Sequence, residues 1–376
     1  MAGIYLHIPF CRQACHYCNF HFSTSLHRMN DFIDALLKEM EARRDYIRDE
    51  PIQTIYFGGG TPSLLAEDDL ARILNKLHAL FHIAPDPELT LEANPDDMAV
   101  PGRLKYWRSA GINRLSIGIQ SFFESDLRWM NRVHNASQAM DSILKAQDAG
   151  LDNISVDLIY GTPGLTDDAW QKNVGQALTL QIPHLSCYAL TVEPRTALDT
   201  MIRQHKKEDV DPETQARQFL LLMDWMAKAG YQHYEISNFS LPGRRSRHNT
   251  SYWQGKPYLG LGPSAHSFDG AASRQWNIAN NALYIKDPLT SVEKETLSPV
   301  QQLNEYIMIS LRTMEGLDLA NIARRFGEKA SLTLQQQAER YVLERKVTAK
   351  ENRMILTREG KLLADGIAAA LFFEEI

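Results

Sequence analysis

Cys11, Cys15 and Cys18 fall within eight residues, in the stretch HIPFCRQACHYCNF from His7 to Phe20, in a chain of 376 residues that has only four cysteines. Thiols this close have four chemical readings. Chance packing of apolar side chains does not explain the concentration. A redox pair would use Cys15 and Cys18 and leave Cys11 idle. A zinc ion would take the three thiolates with His21, but structural zinc usually draws ligand pairs from two separated segments, and no second segment exists. A four-iron cluster normally takes four thiolates. Three would leave one iron open, and an open metal position is where a substrate or cofactor docks.

Other polar residues stand where apolar ones would be expected. In YFGGGTP (Tyr56–Pro62), glycines let the backbone approach a ligand closely, though a tight turn would use them too. Glu92 ends the apolar run LTLE, where it could also cap the next helix. Asp157 interrupts ISVDLIY. A charge inside a buried strand is costly unless paired, so Asp157 is expected to face a site. Gln120 in SIGIQSF and Arg132 in MNRVH add a polar amide and a planar cation suited to a carboxylate.

These residues need a scaffold, and the patterning supplies one. β-rich runs occur at residues 4–8, 54–57, 89–92, 114–119, 154–160 and 185–190. Helical stripes lie between them, as in Met29, Phe32, Ile33, Leu36, Leu37 and Met40. Repeated strand–helix units imply a parallel sheet with right-handed crossovers. Chemically suggestive residues follow nearly every strand. An open sheet would bring only two or three strand ends together, whereas a barrel brings them all to one mouth. The expected fold is therefore α/β, a partial (β/α)6 barrel, over residues 1–237. A loop-rich segment and connection is expected over 238–298. Residues 299–376 read as a small winged-helix-like α+β domain. Its 11 Lys/Arg and 11 Asp/Glu over 301–376 balance, which argues for packing rather than nucleic-acid binding. The net charge of −6 agrees, and 44% hydrophobic with 23% charged residues is ordinary for a globular protein. The amino terminus lacks the pattern of a signal peptide, no apolar run is long enough to span a bilayer, and the cysteines make no disulfide framework. A cytoplasmic location follows as the expectation.

CRQACHYC, with Tyr17 before its last cysteine, resembles the signature of the radical S-adenosylmethionine (SAM) superfamily. The resemblance implies a [4Fe-4S] cluster on Cys11, Cys15 and Cys18 whose open iron takes the amino and carboxylate groups of SAM. It implies further that Gly59, Gly60 and Thr61 hold the SAM amino group and Glu92 the ribose. Gln120 and Arg132 would hold the ribose and the methionine carboxylate, with Tyr5, Tyr17 and Asp157 lining the same pocket.

YLHIPFC, FGGGTPS, SIGIQSF and DLIYGTPG narrow the resemblance to the oxygen-independent coproporphyrinogen III dehydrogenases and their relatives. Those enzymes carry a further cysteine two residues after the third, where this chain has Phe20, and an amino-terminal arm before the first strand. Both departures match the sister branch, the HemW-type heme chaperones. That branch has an H-N-x-x-Y-W motif, matched here by His248, Asn249, Tyr252 and Trp253, and implied to bind heme. Histidine is a common axial ligand of heme iron, Tyr252 and Trp253 offer flat apolar area, and Arg244, Arg245 and Arg247 could pair with propionates. A turn packed on the barrel would use the same residues. The expected function is heme binding and transfer to acceptor proteins, such as respiratory hemoproteins, with transient membrane-protein contact and a homodimer among the expected associations. The alternative is a radical SAM decarboxylase of coproporphyrinogen III. A radical SAM enzyme acting on RNA is disfavoured by the balanced charge of the carboxyl-terminal domain.

Overall fold

The computed structural model describes residues 2–47, 50–290 and 292–375. Six parallel strands pair in sequence order: β1 (Ala2–Ile8), β2 (Ile52–Gly59), β3 (Ile83–Ala93), β4 (Arg114–Gln120), β5 (Ile154–Tyr160) and β6 (His184–Ala189). Helices in each crossover cover the outer face. Alternation along the strands separates the two faces. Ile4, Leu6 and Ile8 of β1, Ile55 and Phe57 of β2, and Leu115, Ile117 and Ile119 of β4 are fully buried in the core cluster. The intervening residues Tyr5, Tyr56, Glu92, Ser116, Asp157 and Ser186 point into the barrel. The interior of this barrel is polar.

The barrel does not close. β6 pairs with β8 (Asn238–Ser240), which pairs with β7 (Gln232–Glu235), while β1 pairs with β9 (Tyr258–Leu261). Beyond β9 the sheet continues through β10 (His266–Phe268), β11 (Ser273–Asn277) and β12 (Val292–Thr296), giving twelve strands in all. The stretch 238–298, expected to be loop-rich, also carries five short edge strands and the short helices Arg247–Trp253 and Asn281–Lys286. Its strands are three to five residues long, too short for alternation to register, and they gain their order from pairing with strands distant in sequence.

The carboxyl-terminal helices Pro299–Leu311, Leu319–Phe326 and Glu328–Leu343 enclose a second core built on Leu303, Ile307, Leu334 and Met354. A three-stranded sheet completes it, with β15 (Arg353–Leu356) between β13 (Leu317–Asp318) and β14 (Val347–Lys350). That order of helices and strands is the winged-helix arrangement. The domain docks on the β7–β8 hairpin. The Ile236 amide donates to Arg312 O at 3.1 Å, and Arg312 pairs with the buried Glu235 at 3.3 Å. No helix among the described residues is long and apolar enough to cross a membrane.

Candidate functional site

After β1 the chain forms a loop pinched at its base, where the Cys11 amide donates to Ser23 O at 3.0 Å and the Ser23 amide to Pro9 O at 2.8 Å. Phe10, 2% exposed, anchors it to the core. The loop presents Cys11, Cys15 and Cys18, all free and partly exposed, to a cavity of about 430 Å³ at the carboxyl ends of β1–β6. That size suits a small-molecule cofactor. Burial pushes the Cys11 thiol up to about 11, and the Cys18 thiol is raised by the same cause. Both would ionise only against a strong positive charge such as a metal centre. His21, the fourth ligand of the zinc reading, does not border the cavity. Its Nε2 lies 2.7 Å from Asn281 Oδ1.

The glycine run after β2 packs against the base of the cysteine loop. The Gly60 amide donates to Ile8 O at 2.9 Å, and a Cβ at Gly60 would lie 2.6 Å from Phe10 O. No side chain fits there, so bare backbone lines the cavity. Thr61 follows, and its hydroxyl donates to Cys11 Sγ at 3.4 Å. From β3, Glu92 accepts from the Tyr56 hydroxyl at 2.8 Å and from the Gly59 amide at 3.1 Å. It borders the cavity but is otherwise enclosed by protein, and this desolvation raises it to about 7. Asp157 on β5 is raised to about 6 for the same reason, despite a Ser186 hydrogen bond that acts the other way.

Gln120 ends β4 in a left-handed conformation, with φ of 69°, where the β4–β5 register slips. Non-glycine residues seldom adopt this geometry, and it collects at functional sites. Here the kink brings Gln120 to the cavity wall. Arg132 donates to Cys15 Sγ at 3.3 Å, to Asn94 Oδ1 at 2.7 Å and to Gly118 O at 2.8 Å. Tyr17 also lines the cavity. Tyr5 shares the interior face but does not border it. Its hydroxyl lies 3.1 Å from His7 Nδ1, and its ring stacks on Tyr56.

Three buried polar atoms of cavity-lining residues have no protein partner: Arg132 Nε, Asp96 Oδ1 and His134 Nδ1. Buried polar groups are nearly always paired, and the cavity wall holds three of the exceptions, while others lie elsewhere in the fold, among them Thr250 Oγ1 and Trp253 Nε1. Three thiols, two hydrogen-bond donors to their sulfurs, a bare backbone edge, the Glu92 carboxylate and the Arg132 guanidinium line one cavity and fit a three-thiolate iron–sulfur cluster with an amino-acid cofactor beside it. Tyr56, Asn94 and His134 were not singled out from the sequence. Asn94 lies two residues after Glu92 and His134 stands in MNRVH, but neither type signals chemistry until the fold places it.

The second set of residues lies at the opposite end of the barrel. The short helix Arg247–Trp253 packs across the amino-terminal ends of β1–β3, and the Arg247 and His248 amides donate to the buried Glu88 carboxylate at 3.0 and 2.9 Å. His248 is 1% exposed. Its Nδ1 lies 2.8 Å from the Thr54 hydroxyl and its Nε2 2.7 Å from the Tyr252 hydroxyl. Its ring stacks on Tyr56 at 5.0 Å. Burial lowers it to about 3, so the imidazole is neutral. Asn249 projects into the barrel and lines a polar pocket of about 50 Å³ shared with Tyr56, Glu92, Arg114 and Asp157. Trp253 lies under the Arg312 guanidinium of the carboxyl-terminal domain at 5.5 Å. Arg245 and Arg247 are paired with Glu315 and Asp86. The structure thus gathers the cysteine, glycine and polar strand-end residues at one mouth and places His248 beneath it, with Asn249 lining a small pocket that shares Glu92 and Asp157 with the mouth.

Comparisons with known proteins agree with this geometry. The Radical SAM superfamily model matches residues 5–175, and the HemN C-terminal domain model matches residues 297–363. The chain is 31% identical to the heme chaperone HemW of Bacillus subtilis over the full length of both, and 33% identical to that of Mycobacterium tuberculosis over 98% of this chain and 94% of the relative. Its fold is that of the coproporphyrinogen III oxidase HemN from Escherichia coli, with a TM-score of 0.85 at 22% identity, covering 100% of this chain and 90% of that one. A polar-lined partial barrel with a three-cysteine loop, matched end to end by these relatives, means that the chain belongs to the HemW family of the radical SAM superfamily.

Proposed function

We propose that this protein is a heme chaperone, which binds heme and passes it to acceptor proteins. The observation that carries the proposal is the end-to-end similarity, at 31% and 33% identity, to relatives that bear the name heme chaperone. Phe20 adds to it. This side chain stands where the related decarboxylases have a further cysteine, and it is 68% exposed at the cavity rim.

In this reading Cys11, Cys15 and Cys18 hold a [4Fe-4S] cluster. Gly59, Gly60, Thr61, Glu92, Gln120, Arg132 and Asp157 hold SAM, and Tyr5 and Tyr17 support the pocket. When bound, the cluster supplies one-electron chemistry at its open iron. The chain's residues orient the cofactor and exclude water. Glu92 offers a carboxylate to hydroxyl donors, and Arg132 offers a planar cation to a carboxylate. Heme is the cargo, met by His248, Asn249, Tyr252 and Trp253. His248 is neutral and therefore fit to ligate iron, but its Nε2 is held by Tyr252. Loading requires Tyr252 to turn away and the helix Arg247–Trp253 to lift from β1 and β2. The chain acts in the cytoplasm on acceptors such as respiratory hemoproteins, with transient membrane-protein contact and a homodimer as associations.

The test is transfer. Heme-loaded protein mixed with an apo-hemoprotein should give the acceptor's own absorption spectrum faster than free heme lost to solvent would allow. If heme never leaves the chain, or never binds it, the reading fails. Conversion of coproporphyrinogen III by the reconstituted protein with SAM and reductant would instead support the decarboxylase alternative.

A further inference from the structure

Asn94 occupies the N-cap position of the short helix Pro95–Met98, yet its side chain makes no cap hydrogen bond. Asparagine is favoured there because it caps, so a side chain that forgoes the cap is engaged elsewhere. Asn94 Oδ1 accepts from Arg132 Nη2 at 2.7 Å, and Asn94 Nδ2 donates to Thr61 Oγ1 at 3.3 Å. Each of these partners donates in turn to a thiol sulfur, Arg132 to Cys15 at 3.3 Å and Thr61 to Cys11 at 3.4 Å. One amide therefore sits at the centre of two arms that reach two of the three cluster thiols.

The surroundings hold Asn94 in that role. Its backbone amide donates to Ser63 Oγ at 3.3 Å, and the Ser63 hydroxyl donates to the buried Asp97 carboxylate at 2.7 Å. Gly118 leaves room for the junction, since a Cβ there would lie 3.2 Å from Arg132 Nη2 and 3.4 Å from Asn94 Oδ1. An amide is the group for this position because it both accepts and donates. A carboxylate could serve only the arginine arm, and an alanine neither.

We infer that Asn94 is a positioning residue that couples the SAM pocket to the iron–sulfur cluster, fixing Arg132 and Thr61 so that the residues facing the cofactor also donate hydrogen bonds to the cluster thiolates. Hydrogen bonds to cluster sulfurs tune the reduction potential, and partners that orient ligand-bearing residues commonly matter by ten- to a hundredfold. The inference rests on the cluster and SAM reading above and is independent of heme.

The experiment uses full-length protein reconstituted with iron and sulfide, read by iron content, spectroelectrochemical reduction and SAM titration. Asn94→Ala should keep its cluster, shift the reduction potential to more negative values, and weaken SAM binding on the order of tenfold. Asn94→Asp keeps the acceptor for Arg132 and should hold SAM nearly as tightly as wild type. Thr61→Val breaks the Cys11 arm alone and should lower the potential with the Arg132 arm intact. If Asn94→Ala matches wild type in both potential and SAM affinity, or if Asn94→Asp weakens SAM as much as Asn94→Ala does, the inference is overturned. If the wild-type chain takes up no iron, the cluster reading falls and this inference with it, an outcome told apart from the others by iron content.

Discussion

The two ends of the barrel differ in how open their candidate ligand groups stand. At the carboxyl-terminal mouth, thiols face an open cavity, and Arg132 Nε, Asp96 Oδ1 and His134 Nδ1 are buried without protein partners. At the amino-terminal end, both ring nitrogens of His248 are engaged and Glu88 accepts from two amides of the helix Arg247–Trp253, although Thr250 Oγ1 and Trp253 Nε1 of that helix are also buried without partners. The mouth is an open cavity lined by three thiols, so an occupant can enter it without rearrangement. The closed end is stable as it stands and can take a ligand only by opening. One end is preorganised, while the other must pay to open before it binds.

That contrast can be broken most sharply at the cysteines. Cys15→Ser removes one of three thiolates, and reconstituted protein should then hold no stable four-iron cluster by iron analysis and visible absorption. Far-ultraviolet circular dichroism should stay unchanged, because the loop is outside the core. Retention of a full cluster would contradict the assignment. Arg132→Ala comes next. It removes charge-assisted hydrogen bonds worth about 2–3 kcal/mol, on the order of a hundredfold in Kd. Calorimetric SAM titration should show that loss, and a change under threefold would remove Arg132 from the pocket's working residues.

At the closed end the expected effect is smaller and has the other sign. Tyr252→Phe releases His248 Nε2 and should cost about 1 kcal/mol of stability in urea unfolding. Heme affinity should rise several-fold, because the closed state has lost one of its ties. Weaker heme binding would mean that the Tyr252 hydroxyl itself bonds the ligand rather than holding His248 closed.

A further effect is in pH dependence. Glu92 is held near 7 in the folded chain against a usual 4.5. The folded state therefore binds that proton more tightly, and the stability from Glu92 declines as pH rises from about 4.5 to about 7. Buried His134 and His248, both lowered to about 3, act oppositely, with stability lost as pH falls below 6.5. In the apo protein, Glu92→Gln should gain stability relative to wild type as pH rises from about 4.5 to about 7. A difference constant across that range would contradict the shift.

The contrast also explains which parts of the protein were legible in the sequence. The six parallel strands were, because β-rich runs alternate with helical stripes, and polar residues such as Glu92 and Asp157 interrupt runs that a parallel sheet buried on both faces would keep apolar. That interruption is the signature of a polar barrel interior. The cysteine loop was legible because spacing along the chain dictates it. The sheet edges from β7 to β12 were not, since three- to five-residue strands such as His266–Phe268 depend on non-local pairing. The placement of His248 was not legible either. Its motif names residue types suited to heme, but whether a histidine is open or sealed depends on Thr54, which is 194 residues away. Asn94 escaped for a related reason. An asparagine before a proline reads as a helix cap, and only the structure shows its side chain turned toward Arg132.

Heme titration of the reconstituted protein, wild type beside His248→Ala and followed at the Soret band, bears most directly on the account. The prediction is saturable binding of heme by wild type, loss of most of that binding in His248→Ala, and an unchanged cluster spectrum in both, since the two sites lie at opposite ends of the barrel. Equal heme binding by the two proteins, or no Soret band in either, would contradict it.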